Sequence, residues 1–133
     1  MRTVVSVGVA GVIGALLRYF AGISVHMWVI VGVFPLETLL VNVVGCFALG
    51  WLAEFVEQKP SMPDWFRIGL GTGLIGSFTT FSTFSLEMVE LVQGRHWILA
   101  IIYIGSSLIG GLMSVQLGRA AGRKRVVPIR EAV

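Results

Sequence analysis

The side chains best suited to handling an ion are concentrated in residues 73–87, inside an apolar segment long enough to cross a membrane. Five hydroxyl side chains fall among residues 79–85, interleaved with phenylalanines and preceded by glycines. Polar or non-helical backbone at membrane depth is tolerated only where it is buried in protein or lines a water-filled path. A helix that faces lipid has no use for these hydroxyls. We therefore interpret the stretch as the wall of a permeation path or ion site.

Three further polar side chains lie inside apolar segments, where ionisable and amide groups are rare and face the bundle interior. Asn42 is central in its segment, so its amide either hydrogen-bonds a neighbouring helix or offers its two N–H donors to an anion. Arg18 lies toward the end of its segment and either snorkels to the interface or contributes a charge to a site. Glu87 ends the hydroxyl-rich stretch.

The aromatic residues allow two interpretations. Phe81 and Phe84 are three residues apart and share a helix face, so they either pack in the core or present their positive ring edges to an anion. Tyr103 and Ser107 are four residues apart and either border the same path as a hydroxyl stripe or belong to small-residue packing.

The kinds of polar group favour an anion. Hydroxyls and amides can donate hydrogen bonds, whereas no acidic cluster marks a cation path and no His/Cys set has metal-ligand spacing. No nucleophile–base pair is present either, so we do not expect an enzyme. Residues 71–76 match the dinucleotide pattern G-x-G-x-x-G, but the strand that this pattern requires is missing. Gly69 and Gly73 instead predict close helix packing, and a helix break near Gly76 would free carbonyl oxygens for a hard cation.

The elements that position these residues are membrane helices. The chain has 133 residues, of which 56% are hydrophobic and 13% charged, well below the charged fraction of about 25% in soluble domains. Four segments have the length of about 20 residues needed to span a bilayer, and they cover residues 3–25, 36–55, 66–92 and 97–117. We predict a single all-α transmembrane domain over residues 1–133, with the third helix broken at its centre.

Residues 118–133 form a basic tail that contains Arg119, Arg123, Lys124, Arg125 and Arg130. Anionic lipid and the positive-inside rule explain such a cluster, so we expect membrane lipid rather than nucleic acid as its partner. Counted with the tail, the Lys/Arg distribution places both termini in the cytoplasm; without the tail it gives almost no preference.

The sequence resembles the CrcB family of small fluoride channels, also called Fluc, in three motifs. Residues 11–19 read GVIGALLRY and resemble the family element Gly-x-x-Gly-Ala-x-x-Arg-Tyr. Residues 38–47 read TLLVNVVGCF and are similar to Thr-Leu-x-Val-Asn-x-x-Gly-x-Phe. Residues 76–87 read GSFTTFSTFSLE and resemble the family signature. One departure is Glu37, which stands where a glycine often precedes Thr38.

The resemblance implies an antiparallel, dual-topology dimer in a bacterial inner membrane, with two fluoride pores and a central structural Na⁺. The second chain would be a copy of this one or an oppositely oriented paralogue. Asn42 would line the pore, and Phe81 and Phe84 would turn ring edges to the ion. The carbonyls of Gly76 and Thr79 would hold Na⁺ together with their copies. A hydrophilic track beside the pore would consist of Thr38, Glu87, Tyr103 and Ser107.

Two functions from different classes follow. The first is passive, fluoride-selective export. The alternative is a small proton-coupled exporter of cationic compounds, which needs a titratable carboxylate deep in the first span. That span contains Arg18 and neither Asp nor Glu, which favours the channel.

Overall fold

The computed structural model describes residues 1–28 and 32–123, and the regular structure in these ranges is entirely helical. The prediction of an all-α chain is therefore confirmed. The helices are α1 (Arg2–Trp28), α2 (Leu36–Glu57), α3 (Asp64–Ile68), a π-helical segment (Gly69–Ile75), α4 (Gly76–Phe78), α5 (Ser82–Gln93) and α6 (Trp97–Gly122).

Three helices are long and apolar enough to cross a membrane: α1, α2 and α6, with mean hydropathies of 1.9, 1.9 and 2.0. The predicted third span is instead assembled from several pieces, which run from α3 through the π-helical segment and α4 to α5. Counted with this composite element, the chain has the four helices that its sequence predicts. Helix α6 continues past Leu117, the predicted end of the fourth span, to Gly122. Lys124, Arg125 and Arg130 of the predicted tail lie outside the described residues.

Small residues let the helices approach closely. A Cβ atom on Gly118 of α6 would collide with the Phe47 carbonyl oxygen of α2, and one on Gly50 would collide with the Val115 carbonyl. On the opposite side of the bundle, a Cβ on Gly73 would lie 2.8 Å from the Val7 carbonyl of α1. The close packing predicted from the glycine spacing in the third span is thus confirmed, and α1 and α6 flank the composite span and α2.

A polar cluster joins the C-terminal ends of α2 and α6. Glu54 is buried, with 8% of its side chain exposed, and its two oxygens lie 3.1 Å from Arg119 Nε and 3.5 Å from Arg123 Nε. The Gln58 side chain donates to the Gly122 carbonyl at 2.8 Å. Two of the charges assigned to the basic tail, Arg119 and Arg123, are therefore paired with a carboxylate within the protein.

Candidate permeation site at the broken third span

The break in the third span is held by a side chain from α2. Asn42 Nδ2 donates to the Thr80 carbonyl at 2.9 Å, and Thr80 N–H donates to Asn42 Oδ1 at 2.9 Å. Both backbone groups of Thr80 are thus satisfied by one amide, 38 positions earlier in the chain. Buried backbone groups need such partners wherever a helix ends inside a bilayer. Asn42 therefore stabilises the non-helical backbone as well as facing the site.

Hydroxyl groups complete the break. The Thr79 hydroxyl donates to the Ile75 carbonyl at 3.1 Å, which closes the preceding turn. Thr80 Oγ1 accepts the Thr83 N–H at 3.2 Å, as an N-cap side chain does at the start of a helix. The same hydroxyl donates to Thr83 Oγ1 at 3.0 Å. The backbone can therefore be extended at Thr79 while the Thr83 N–H at the start of α5 keeps an acceptor.

These bonds place the break at Thr79. Gly76 has helical dihedral angles, φ −64° and ψ −32°, whereas Thr79 is extended, with φ −78° and ψ 160°. The helix therefore continues to Phe78, so the predicted break at the centre of the third span is confirmed and begins at Thr79, just after Gly76. The physical reason is competition for hydrogen bonds: Asn42 and the Thr80 hydroxyl take the donors that a continuing helix would use.

The same competition affects two backbone carbonyls that the sequence singled out. In a continuous helix, Thr80 N–H would donate to the Gly76 carbonyl and Thr83 N–H to the Thr79 carbonyl. Those donors go instead to Asn42 Oδ1 and Thr80 Oγ1. Carbonyls that lose their helical donors can coordinate a hard cation such as Na⁺. Among the described residues, no group of three or more His, Cys, Asp or Glu could hold a metal ion.

The phenylalanines form an aromatic row. The centroids of Phe81 and Phe84 are 5.9 Å apart, with an interplanar angle of 31°, and Phe84 lies 4.9 Å from the ring of Tyr103. Tyr103 is fully buried, whereas Phe81 is 80% exposed in the single chain. Phe78 belongs to α4 and packs near Gly45 of α2. The two predicted rings are therefore together, and the third is spatially distinct from them.

The Glu87 carboxylate accepts hydrogen bonds from two other spans. Thr38 Oγ1 donates to Glu87 Oε1 at 2.7 Å, and the Tyr103 hydroxyl donates to Glu87 Oε2 at 2.6 Å. Each oxygen of Glu87 thus has a donor, which offsets the desolvation of a partly buried carboxylate. The family resemblance implied a hydrophilic track of Thr38, Glu87, Tyr103 and Ser107, and the structure joins the first three of them by hydrogen bonds.

Two cavities meet at the break. The larger, about 500 Å³, has no charged side chain among the described residues of its wall, which include Asn42, Phe81, Phe84 and Ser107. The Ser107 hydroxyl oxygen is buried and has no hydrogen-bond partner within the part of the chain that the structure describes. The smaller cavity, about 360 Å³, contains Arg18. Thr80, whose backbone is hydrogen-bonded to Asn42, lines both cavities and forms their common wall.

A family model described as CrcB-like protein, Camphor Resistance (CrcB), matches residues 5–119, a range that includes the break and both cavities. The chain belongs to the CrcB family. The resemblance seen in the three sequence motifs is therefore confirmed.

Similar proteins from several bacteria carry names that describe an ion channel. A Bacillus cereus protein named fluoride-specific ion channel FluC 1 is 47% identical over 117 residues, which cover 87% of this chain and 84% of the relative. Proteins named fluoride-specific ion channel FluC 2 are 44% identical in Geobacillus kaustophilus and 42% in Listeria monocytogenes. Both alignments cover 89% of this chain, with 91% and 88% of the respective relatives. The family is one of ion channels, as expected for a chain without catalytic groups.

The larger cavity of this CrcB protein collects most of the site residues predicted from the sequence, namely Asn42, Gly76, Thr79, Phe81, Phe84 and Ser107. Thr38 and Arg18 line the smaller cavity, and Thr38 connects it to Glu87 and Tyr103. Arg18, for which the sequence allows either snorkelling or a role in a site, lies against this cavity.

Two residues of the structure are not among the predicted site residues. The first is Thr80, although Thr80 and Thr83 have the spacing of an N-cap side chain and the N–H that it accepts. The second is Glu54, although a carboxylate in the last turn of a membrane helix requires a partner. Its partners lie 65 or more positions away, so no local pattern identifies them.

Proposed function

We propose that this CrcB protein is a fluoride-selective channel that lets fluoride leave the bacterial cell passively across the inner membrane. The observation that carries the proposal is the larger cavity, where donors such as the Asn42 amide lie without a charged side chain among the described residues of the wall. One Asn42 N–H is used by Thr80, and the amide has a second. The Ser107 hydroxyl adds a further donor. The ring edges of Phe81 and Phe84 complete a lining suited to a small anion.

We further propose that the channel is a dimer with two pores, the second chain being a copy inserted in the opposite orientation. An oppositely oriented paralogue is the alternative partner. Support comes from Phe81, which is 80% exposed beside the larger cavity. Lipid on that side would leave the Asn42 amide against hydrocarbon, at a substantial desolvation cost. A second protein chain closes the cavity with polar and aromatic groups instead.

A structural Na⁺ at the centre of the dimer is the remaining part of the proposal. The Gly76 and Thr79 carbonyls would hold it, because their helical donors are used elsewhere. Two carbonyls from one chain do not complete the oxygen shell of a hard cation, so the partner's copies would supply the rest. The ion would balance the carbonyl dipoles where the two broken spans meet.

Fluoride conduction and its selectivity over chloride are tested by measuring ion flux from liposomes that contain only the purified chain. We expect fluoride to leave down its gradient once a potassium ionophore has collapsed the membrane voltage. Chloride should leave at least about a hundredfold more slowly, which corresponds to a barrier higher by about 2.7 kcal/mol. Gly105→Ala is the matched control, because a Cβ at Gly105 meets no atom within 4 Å. Equal fluoride and chloride rates, or no fluoride flux from a folded dimer, would contradict the proposed function.

The dimer is tested by its mass in detergent and by chemical crosslinking in membranes. We expect twice the chain mass of 14.4 kDa, without dependence on a disulfide. Cys46→Ala is the control, because Cys46 is the sole cysteine and a bridge between copies must use it. A conducting species that is strictly monomeric would exclude the dimer while leaving fluoride conduction intact.

The proton-coupled exporter of cationic compounds gains no support from the structure. Helix α1 carries no acidic side chain, and Glu87 has both oxygens engaged by Thr38 and Tyr103. No observation on the described residues favours this alternative over the channel.

A further inference from the structure

An apolar groove of about 660 Å³ runs between the first half of α1 and the start of the third span. Its α1 wall is a stripe of Val5, Val9 and Ile13, which are 63%, 59% and 47% exposed. Side chains four residues apart lie on one face of a helix. Among the described residues, none lines both this groove and the larger cavity. The groove is therefore separate from the face assigned to the second chain, and α1 presents it to the bilayer.

Small residues form the floor of the groove. A Cβ atom on Gly69 would collide with the Ser6 hydroxyl oxygen, and one on Gly73 would lie 2.9 Å from the Ala10 Cβ. Ser6 and Ala10 both line the groove. The two helices are thus already in contact beneath it, so its floor is fixed. A preformed site loses little conformational freedom when a ligand binds.

One end of the groove is basic. Arg2 lines this end together with Trp65, and Arg67 follows the lining residue Phe66 in the sequence. Arg67 has a long ion pair with Asp64, at 4.0 Å, and the two side chains are 40% and 87% exposed. Two guanidinium groups and one carboxylate give this end a net positive charge. Because tryptophan is enriched at membrane–water interfaces, Trp65 places the basic end at the depth of the lipid headgroups.

We propose that the groove binds one anionic phospholipid. The headgroup phosphate pairs with Arg2, because a planar guanidinium matches the geometry of a phosphate. One acyl chain lies along the valine and isoleucine stripe of α1. From Val5 to Ile13 the helix rises about 12 Å, and one leaflet contributes about half of a hydrocarbon core of about 30 Å. The stripe therefore has the length of a chain that runs from the interface into one leaflet.

The test is quenching of Trp65 fluorescence by phospholipids with brominated acyl chains. The full chain is reconstituted in vesicles after Trp28, Trp51 and Trp97 have been replaced by phenylalanine. The ionic strength is about 0.15 M, where the screening length is about 8 Å. We expect brominated phosphatidylglycerol to occupy the site about three- to fivefold more strongly than brominated phosphatidylcholine with the same chains, as one interfacial arginine allows. Arg2→Gln should reduce this preference to less than about twofold.

Three further variants make the test specific. Lys59→Gln removes a charge of the same sign at the same end of the bundle, between α2 and α3, and Lys59 is not among the residues that line the groove. Its preference for phosphatidylglycerol should be unchanged. Val9→Phe fills the groove and should abolish the preference. Val12→Phe is the matched control, because Val12 is 62% exposed on α1 but does not line the groove.

Each result has a distinct consequence. A preference for phosphatidylglycerol that Arg2→Gln and Val9→Phe abolish, and that both controls retain, supports the lipid site. Equal quenching by the two lipids before substitution, or a preference that survives Arg2→Gln, overturns it. If Val9→Phe instead dissociates a dimer, a second chain covers the groove and the lipid site is wrong. Ion flux does not enter this measurement, so a failure of fluoride conduction would reject the proposed function alone.

Discussion

Asn42→Ala is expected to reduce fluoride flux by about one to two orders of magnitude in protein that still forms the dimer. The substitution removes a hydrogen-bond donor from the larger cavity, and a bond to a charged group contributes about 1.5–3 kcal/mol. Expressed fully in the barrier, that loss gives the stated change in rate. Liposome flux normalised to folded dimer is the measurement. Flux near the wild-type value would assign Asn42 a packing role only.

The hydrogen bonds of Asn42 require a second variant, because the residue also holds the break. Alanine leaves both the N–H and the carbonyl of Thr80 without their partners, at about 1–3 kcal/mol for each buried group. Reduced flux can therefore reflect a loosened break instead of a lost donor. Thr80→Val separates the two explanations, since it removes the hydroxyl that caps Thr83 and retains the Asn42 amide.

If the fluoride flux of Thr80→Val stays within about tenfold of wild type, a barrier change of about 1.4 kcal/mol, and the flux of Asn42→Ala falls by more than that, the Asn42 donor itself is needed for passage. Equal losses in both variants would assign the defect to the geometry of the break. Cys46→Ala controls for cavity shape, because Cys46 lines the larger cavity, whereas the Asn42 side chain is bonded to Thr80. Thermal stability in detergent, measured for each variant, keeps folding defects separate from conduction.

The sequence predicted the helices because membrane crossing depends on local properties. Apolar length and the scarcity of charge determine α1, α2 and α6 residue by residue, and hydroxyls within an apolar segment indicate where helical structure fails. The break begins at Thr79, just after Gly76. A glycine such as Gly76 tolerates helical geometry, whereas the real cause is a hydrogen-bonded pair, Asn42 and Thr80, separated by 38 positions.

For the candidate site too, the sequence indicates which residues take part, but their pairing depends on how the helices pack. Residue type selected Glu87 and Tyr103, because polar groups in apolar spans must find partners, and the family resemblance added Thr38. Their arrangement, with one donor on each carboxylate oxygen, required the helix packing to be known. Glu54 was missed for this reason. Its partners, Arg119 and Arg123, belong to a different span, and in the sequence they were indistinguishable from lipid-facing tail charges.

Phe81→Ile and Phe84→Ile are expected to lower fluoride flux by about tenfold or more, which corresponds to about 1.4 kcal/mol in the barrier. Isoleucine replaces most of the apolar volume, and such exchanges usually change stability by less than about 1.5 kcal/mol. It lacks the positive ring edge that faces an anion. If the rings served only as bulk, conduction would therefore survive both substitutions.

The environments of the two rings make Phe81 the sharper test. Phe84 lies 4.9 Å from the Tyr103 ring, so its replacement also removes an aromatic pair worth about 0.5–1.5 kcal/mol. Phe81 is 80% exposed in the single chain, and its loss disturbs the fold of that chain less. A large fall in flux for Phe81→Ile, with unchanged stability of the folded chain, is therefore difficult to attribute to packing.

Phe78→Ile is the matched control, since Phe78 is three residues from Phe81 but packs near Gly45 and is not among the residues that line the larger cavity. All three variants lose one phenyl ring from the same twelve-residue motif, 76–87, and differ in whether that ring faces the cavity. Dimer formation must be measured for each, because Phe81 lies on the face assigned to the second chain. Equal and mild reductions of fluoride flux at the three positions, with dimers intact, would mean that the phenylalanines only fill space and that their ring edges do not contact the anion. Losses confined to Phe81 and Phe84 would place the ring edges in the path of the ion.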